Sequence, residues 1–240
     1  MTIKSIWLRR IHKWVGLAIG LQFVLWAISG AAMALLDMEA VAGGPHPETV
    51  ATAGAGDPAA WPTIVRQIGP ERIEALRSGV LLDKPVLEIR TGRSTLVFDS
   101  RTGERMAIDA RAARAIAETH HPDRAKSVAV RLLTEPLLPV RDHELPIWQV
   151  EFADDGASTY YVSATTGALL ERRNDTWRWW DFFWMLHNMD YADRTSFNHP
   201  LIITAAIAMA WLAVTGFWLL FRTMWRHDFA WLRARRIRQR

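Results

Sequence analysis

The stretch that decides the fold is "WVGLAIGLQFVLWAISGAAMALL", Trp14 to Leu36, which runs for 23 residues without a charged side chain. A second uncharged stretch of 22 residues, Pro200 to Phe221, follows near the end of the chain. A helix needs about 20 apolar residues to cross about 30 Å of hydrocarbon, so we predict two membrane-spanning helices. A cleaved signal peptide is the alternative for the first stretch, since small residues occur at 31–34, but the apolar region of a signal peptide spans only about 7–15 residues.

Positive charge is unevenly distributed around these two stretches. Three cations between residues 9 and 13 precede the first stretch, whereas Asp37 and Glu39 follow it. The segment 222–240 carries seven arginines against one acidic residue. Lys and Arg accumulate on the cytoplasmic side of membrane proteins, so we predict that both ends are cytoplasmic and that residues 37–195 lie outside. The arginine-rich segment favours contact with membrane lipid over nucleic acid.

The sequence contains no cysteine, and this limits the cofactors that the protein can hold. Disulfides, thiolate zinc sites, iron–sulfur clusters and the covalent attachment of c-type haem are excluded. A metal would therefore be held by histidine, carboxylate or methionine. A dinucleotide fingerprint, a phosphate-binding loop and a flavin motif are also missing from the sequence, so an electron-transfer function would need an external donor.

The region between the two apolar stretches is predicted to contain a linker and two similar units. Each unit has a helical pattern, a strand hairpin, a Thr-Gly pair and a further short strand, and the Thr-Gly pairs stand at 102–103 and 166–167. We predict an α+β membrane protein, in which two transmembrane helices flank a periplasmic domain of two helix-plus-antiparallel-sheet repeats. The predicted segments are the N-terminus with the first span (1–36), a linker (37–57), the two repeats (58–108 and 109–174), a Trp-rich interfacial amphipathic helix (175–196), the second span (197–225) and a basic cytoplasmic tail (226–240).

His12 stands among cations just before the first apolar stretch. At helical spacing it is followed on one face by small residues that include Gly16, Gly20 and Gly30, and the 18 residues between His12 and Gly30 make about five turns. Ionisable residues at membrane helices are functional by default, so His12 and the small residues on its face form a candidate functional site. The alternatives are an interfacial hydrogen-bonding role for His12 and simple close packing of helices along the glycines.

His187 lies in the second candidate region, "DTWRWWDFFWMLHNMDYADR", Asp175 to Arg194. The interleaved tryptophans, phenylalanines and charges favour an amphipathic helix in the outer membrane interface. His187 is either a polar tip of this aromatic belt or a second candidate functional residue. His199, which precedes Pro200 at the start of the second span, is either a helix-entry residue or a further ligand.

These features resemble the PepSY-associated transmembrane helix family. The opening Arg-x-x-His-x-x-x-Gly of that family fits Arg9, His12 and Gly16, its later Leu-His element fits Leu186 and His187, and its PepSY repeats fit the two hairpins. The resemblance covers nearly the whole chain, although this chain has two spans where larger members have four. It implies a bacterial inner-membrane protein, related to reductases of ferric iron or ferric siderophores that carry b-type haem on histidines.

The resemblance further implies a haem-dependent reductase in which His12 and His187 are the axial ligands of an inner and an outer haem. Gly16, Gly20 and Gly30 would then allow a haem to lie close to the helix. The two histidines lie about a bilayer thickness apart, so we expect a homodimer in which each haem is shared, with His199 as a possible second ligand to the outer one. The expected partners are ferric iron or a ferric siderophore, membrane lipid and a quinol or reductase as donor. Two alternatives remain: a membrane-tethered protein that binds or regulates peptidases, and a non-enzymatic partner of an iron-uptake system.

Overall fold

The computed structural model describes residues 3–44, 56–92, 94–192, 194 and 198–237. The chain divides into two compact units. The first consists of Met1–Leu35 and Trp180–Arg240, and the second of Leu36–Trp179. The predicted linker 37–57 and interfacial segment 175–196 lie partly outside the described residues.

The first unit contains the two long apolar helices that the sequence predicts. Helix α1 spans Ile3–Leu35 and helix α6 spans Pro200–Ile237, and the two pack against each other. Their apolar parts, Ile6–Leu35 and Pro200–Arg222, have mean hydropathies of 1.8 and 2.0 and are long enough to cross a membrane. Few of their residues are buried within the protein, so most of their apolar surface faces outward. The predicted tail 226–240 differs, because α6 continues without a break as far as Ile237.

Helix α5, Asp175–Asn188, connects the second unit to the first and begins where the Trp-rich helix 175–196 was predicted, but it is shorter than predicted. Asn174 begins it, because its side-chain Oδ1 accepts a hydrogen bond from the backbone N–H of Trp177 at 2.8 Å. The helix ends at Asn188, before the start of α6. This places His187 in the last turn of α5.

The second unit begins with helix α2, Met38–Val41, where the sequence analysis predicted only a linker. Asp37 caps this helix by accepting a hydrogen bond from the backbone N–H of Glu39, which explains why an acidic residue follows the apolar stretch directly. The side chain of Asn174 donates to the carbonyl of Ala40 at 2.8 Å. The start of this unit is therefore tied to its end.

The first sheet is an antiparallel meander of β1 (Ile73–Leu81), β2 (Lys84–Thr91) and β3 (Thr95–Asp99). Helix α3, Trp61–Ile68, covers one face, and its Ile64 packs with Leu87, Ile89 and Phe98 in the core. The short strand predicted after the first Thr-Gly pair is reduced to an isolated bridge between Phe98 and Arg105.

The second sheet repeats this plan with four strands, β4 (Ser127–Leu133), β5 (Ile147–Phe152), β6 (Thr159–Ser163) and β7 (Leu169–Arg173), all antiparallel. Helix α4, Ala110–His120, covers it, and Ile116 packs with Val150 and Val162. In both sheets the glycine of the Thr-Gly pair has a positive φ, +71° at Gly103 and +73° at Gly167. A side chain there would be strained, which explains why the same pair recurs.

The two strands that the sequence analysis missed are β1 and β4, which lie at the edges of their sheets. Most residues of β1 are exposed, and only the two ends of β4 are buried. Without a buried face, neither strand shows the alternation of apolar and polar residues that predicts a strand. The strands that the sequence predicted are β2, β3, β5, β6 and β7.

Candidate functional site

His12 lies on α1 and contacts α6 through a hydroxyl group. Its ring Nδ1 is 2.7 Å from Oγ1 of Thr215. The same hydroxyl lies 2.8 Å from the backbone carbonyl of Trp211, to which it donates. A hydroxyl has one proton; when Thr215 gives it to this carbonyl, its oxygen accepts from His12, and the ring proton is on Nδ1. In the neutral ring the lone pair is then on Nε2, which has no hydrogen-bond partner among the described residues.

An apolar groove of about 500 Å³ lies beside this imidazole. It has the size of a small-molecule or cofactor site. Phe23 and Phe217 provide aromatic walls, and Gly16 and Gly216 leave parts of the helix backbones uncovered. The residues that line it are His12, Gly16, Ile19 and Phe23 of α1 and Met209, Leu212, Ala213, Gly216, Phe217 and Leu220 of α6.

His187, at the end of α5, contacts a second hydroxyl in the same manner. Its Nδ1 is 3.0 Å from Oγ of Ser29, and this hydroxyl donates to the carbonyl of Leu25 at 2.7 Å. Ser29 is fully buried. Trp26 also donates its indole N–H to the carbonyl of His187 at 2.7 Å. When Ser29 gives its proton to the carbonyl of Leu25, its oxygen likewise accepts from Nδ1–H of His187. Nε2 of His187 has no partner within the described part of the chain.

The three glycines that the sequence analysis grouped with His12 have different surroundings. Gly16 lines the groove, whereas Gly20 and Gly30 do not. Gly20 is eight residues from His12, which turns it about 80° away around the helix, and a Cβ there would have no neighbour within 4 Å. Gly30 lies beyond the groove, and a Cβ there would be 3.4 Å from Cε1 of His187. Gly30 thus makes room for an imidazole of its own chain.

His199 occupies the position expected of a helix-entry residue. Its Nε2 donates to the carbonyl of Asn188 at 2.7 Å, and its own carbonyl accepts from the N–H of Ile203. It therefore links the end of α5 to the first turn of α6. A role for His199 as a ligand stays a prediction, and it would require Nδ1, because Nε2 is used in this hydrogen bond.

His12 and His187 belong to two separate sites. Ser29, which binds His187, follows His12 by 17 residues, or about 25 Å along a helix. One iron atom cannot contact both rings of a single chain. Within the described residues no group of three or more His, Asp or Glu side chains is arranged to hold a metal ion. A single imidazole is nevertheless sufficient as an axial ligand to iron that a porphyrin already holds.

Sequence analysis missed Ser29, Thr215 and Gly216, although they leave a signal. In each span a hydroxyl residue directly precedes a glycine, as Ser29-Gly30 and Thr215-Gly216. A Cβ at Gly216 would be 3.5 Å from Cε1 of His12, just as one at Gly30 would approach His187. Each pair therefore consists of a hydroxyl that binds an imidazole and a glycine that makes room for it.

His121, in the second unit, is placed differently. Its Nε2 donates to Oδ2 of Asp154 at 3.2 Å, and its Nδ1 accepts from the backbone N–H groups of Asp123 and Ala125. Burial raises the pKa of Asp154, but hydrogen bonds from Ser158 and His121 outweigh this and hold that pKa below its usual value. Both nitrogens of His121 are occupied, which agrees with the structural role that its position at the end of α4 predicts.

Comparison with known protein families matches residues 9–240 to the PepSY-associated TM region. No curated protein and no solved structure matches the chain. The family match includes both apolar helices, both sheets and the two histidine sites. The chain therefore belongs to the family described as the PepSY-associated TM region, and it is a membrane protein of that class.

Proposed function

We propose that this protein binds b-type haem and passes electrons across the bacterial inner membrane to reduce ferric iron or a ferric siderophore in the periplasm. The observation that carries this proposal is the hydrogen bonding of the two imidazole rings, His12 and His187. Each ring lies against a membrane-spanning helix, has its Nδ1 held by a hydroxyl, and keeps Nε2 without a protein partner in the described chain. This is the arrangement of a metal-binding histidine, whose other ring N–H is held by a neighbouring group.

The surroundings of His12 fit a haem. The groove beside it has a volume of about 500 Å³, its walls are almost entirely apolar, and Gly16 and Gly216 permit close approach to both helices. When bound, a b-type haem supplies the one-electron chemistry that protein side chains lack. His12 would hold the iron through Nε2, Thr215 keeps the ring in position, and Phe23 and Phe217 exclude water.

The second axial ligand of each haem is proposed to come from another copy of the chain. His12 and His187 lie too far apart along α1 to share one iron, and two membrane helices enclose a flat macrocycle less completely than four. In a twofold dimer, His12 would face its symmetry mate, and His187 would face either its mate or His199. The exposed apolar surfaces of α1 and α6 are available for such an interface.

The orientation follows from the distribution of Lys and Arg. It places His12 and the end of α6 at the cytoplasmic side, and His187 and the sheet unit at the periplasmic side. A quinol or a partner reductase would donate the electrons, and each ferric ion accepts one to become ferrous. The chain would then connect a donor on one side of the membrane to an iron substrate on the other.

The test is the absorption spectrum and the haem-to-protein ratio of the full chain, purified in detergent from haem-replete cells. We expect a b-type spectrum that is lost or shifted in His12→Ala and in His187→Ala, with a milder change in His199→Ala. His143→Ala, in the sheet unit, is the matched control and should retain the spectrum. A folded but colourless protein would overturn the proposal in favour of a peptidase-binding or iron-uptake partner role, and unchanged spectra in both variants would overturn the ligand assignment.

A further inference from the structure

We propose that Ser29-Gly30 and Thr215-Gly216 are two copies of one histidine-positioning element, which fixes the tautomer of the opposite imidazole so that Nε2 is presented to a ligand. Ser29 and Thr215 are then positioning residues. The inference rests on the proposed function for the identity of that ligand, a haem iron. The assignment of the ring proton rests on the hydrogen-bond contacts and does not depend on the identity of that ligand.

The first step is the direction of each hydrogen bond. Thr215 donates to the carbonyl of Trp211 and Ser29 to that of Leu25, in both cases four residues earlier on the helix. This is the usual bond that a serine or threonine forms within a helix. With its proton used there, each hydroxyl has only lone pairs to offer to the histidine. We therefore assign the donor of each contact to Nδ1 of His12 and of His187.

The second step is the glycine that follows each hydroxyl. The Cβ positions at Gly30 and Gly216 lie 3.4 and 3.5 Å from Cε1 of His187 and His12. A methyl group there would already be in contact with the ring, and a branched side chain would occupy its volume. Cε1 is bonded to both ring nitrogens, so the absence of a side chain at the glycine leaves space at the ring edge formed by Cε1 and Nε2. Hydroxyl and glycine thus act on the same ring from adjacent positions.

The third step is the choice of a neutral partner. A carboxylate would hold Nδ1–H more strongly, but a charge in the hydrocarbon region costs several kcal/mol. A hydroxyl that is satisfied by its own helix fixes the tautomer without introducing a charge. The arrangement also links three helices, because α6 positions the histidine of α1, and α1 positions the histidine of α5. Correct packing of the helices is therefore a condition for presenting either Nε2.

The first measurement is made without haem, on the full chain labelled with ¹⁵N-histidine in detergent. The ¹⁵N shifts and couplings of the ring distinguish the two tautomers. We expect His12 to be protonated on Nδ1 in the wild type and in Thr215→Ser, and to lose this preference in Thr215→Val. The matched control is Thr204→Val, since Thr204 donates to the carbonyl of Pro200 on the same helix but is exposed.

The second measurement is haem affinity and midpoint potential. Removal of a group that orients a metal ligand typically weakens binding by about 10–100-fold, so Thr215→Val should lose haem in this range and shift the potential, while Thr215→Ser restores both. Ser29→Ala tests the second copy independently. A Thr215-dependent tautomer in a protein that binds no haem would overturn the proposed function but support the positioning element. If the protein binds haem but neither Thr215→Val nor Ser29→Ala changes the histidine tautomer or the haem affinity, the positioning element alone would be overturned.

Discussion

The histidines of the membrane unit and those of the sheet unit have opposite hydrogen-bonding arrangements. His12 and His187 face hydroxyls and have one nitrogen without a partner in the described chain. His121 faces a carboxylate and has both nitrogens occupied, and His143 also faces a carboxylate, that of Glu171, at 3.0 Å.

The difference follows from the solvent around each unit. The free-energy cost of a charged carboxylate is small near water, so Asp154 or Glu171 can hold a histidine in the sheet unit. In hydrocarbon a neutral hydroxyl serves the same purpose without a charge. The ring of His121 therefore stabilises a loop of the sheet unit, whereas in the membrane unit the hydroxyls leave one nitrogen of His12 and of His187 without a partner in the described chain. The following two predictions test this distinction.

The largest expected effect is that of a bulky side chain beside an imidazole. Gly216→Leu should displace the ring of His12 and reduce haem retention at least tenfold, because overpacking costs about 1–3 kcal/mol and moves Nε2. Gly20→Leu is the matched control, since a Cβ there meets nothing within 4 Å. The measurement is haem retained per protein after purification. Equal retention in the two variants would mean that the space beside His12 is not needed.

A smaller effect is expected in the sheet unit, from Asp154→Asn. The variant weakens a buried hydrogen-bond network and should lower the free energy of unfolding by about 1–2 kcal/mol at pH 7, with the membrane-unit spectrum unchanged. The pKa of Asp154 is lower in the folded protein than in the unfolded chain, so the stabilisation is present above about pH 4 and is lost as the pH falls through the folded value. Unfolding at pH 7 and pH 3 measures this, and a difference that persists undiminished at pH 3 would contradict it.

The fold was predictable wherever the burial of an element leaves a regular spacing or an uninterrupted run of apolar residues in the sequence. Two uncharged runs of more than 20 residues are long enough to predict spanning helices, and the apolar residues of β2 and β5 identify their hairpins. The edge strands β1 and β4 were not predictable, because they have too few buried residues to produce a period. The continuation of α6 through the arginine-rich segment was also missed, since charge patterning predicts the side of the membrane but not where a helix ends.

The site was predictable only in part. Histidine at a membrane boundary is conspicuous, so His12 and His187 were selected from the sequence as candidates, and the family resemblance suggested their role as ligands, which stays a prediction. Ser29 and Thr215 were not, because serine and threonine are ordinary residues in apolar helices and their hydrogen bonds depend on which helices pack together. Gly30 was assigned to the wrong neighbour for the same reason: helical periodicity places it below His12, whereas tertiary packing brings His187 against it.

The central claim is that electrons reach the periplasm through His12 and His187, and oriented vesicles test it most directly. Reductant is added to one face at a time while haem redox state and ferrous iron are followed. We expect His12→Ala to abolish iron reduction driven from the cytoplasmic face while the outer haem remains reducible from the periplasmic face, and His187→Ala to stop iron reduction from either face. Iron reduction from the cytoplasmic face at the wild-type rate in His12→Ala would contradict the account.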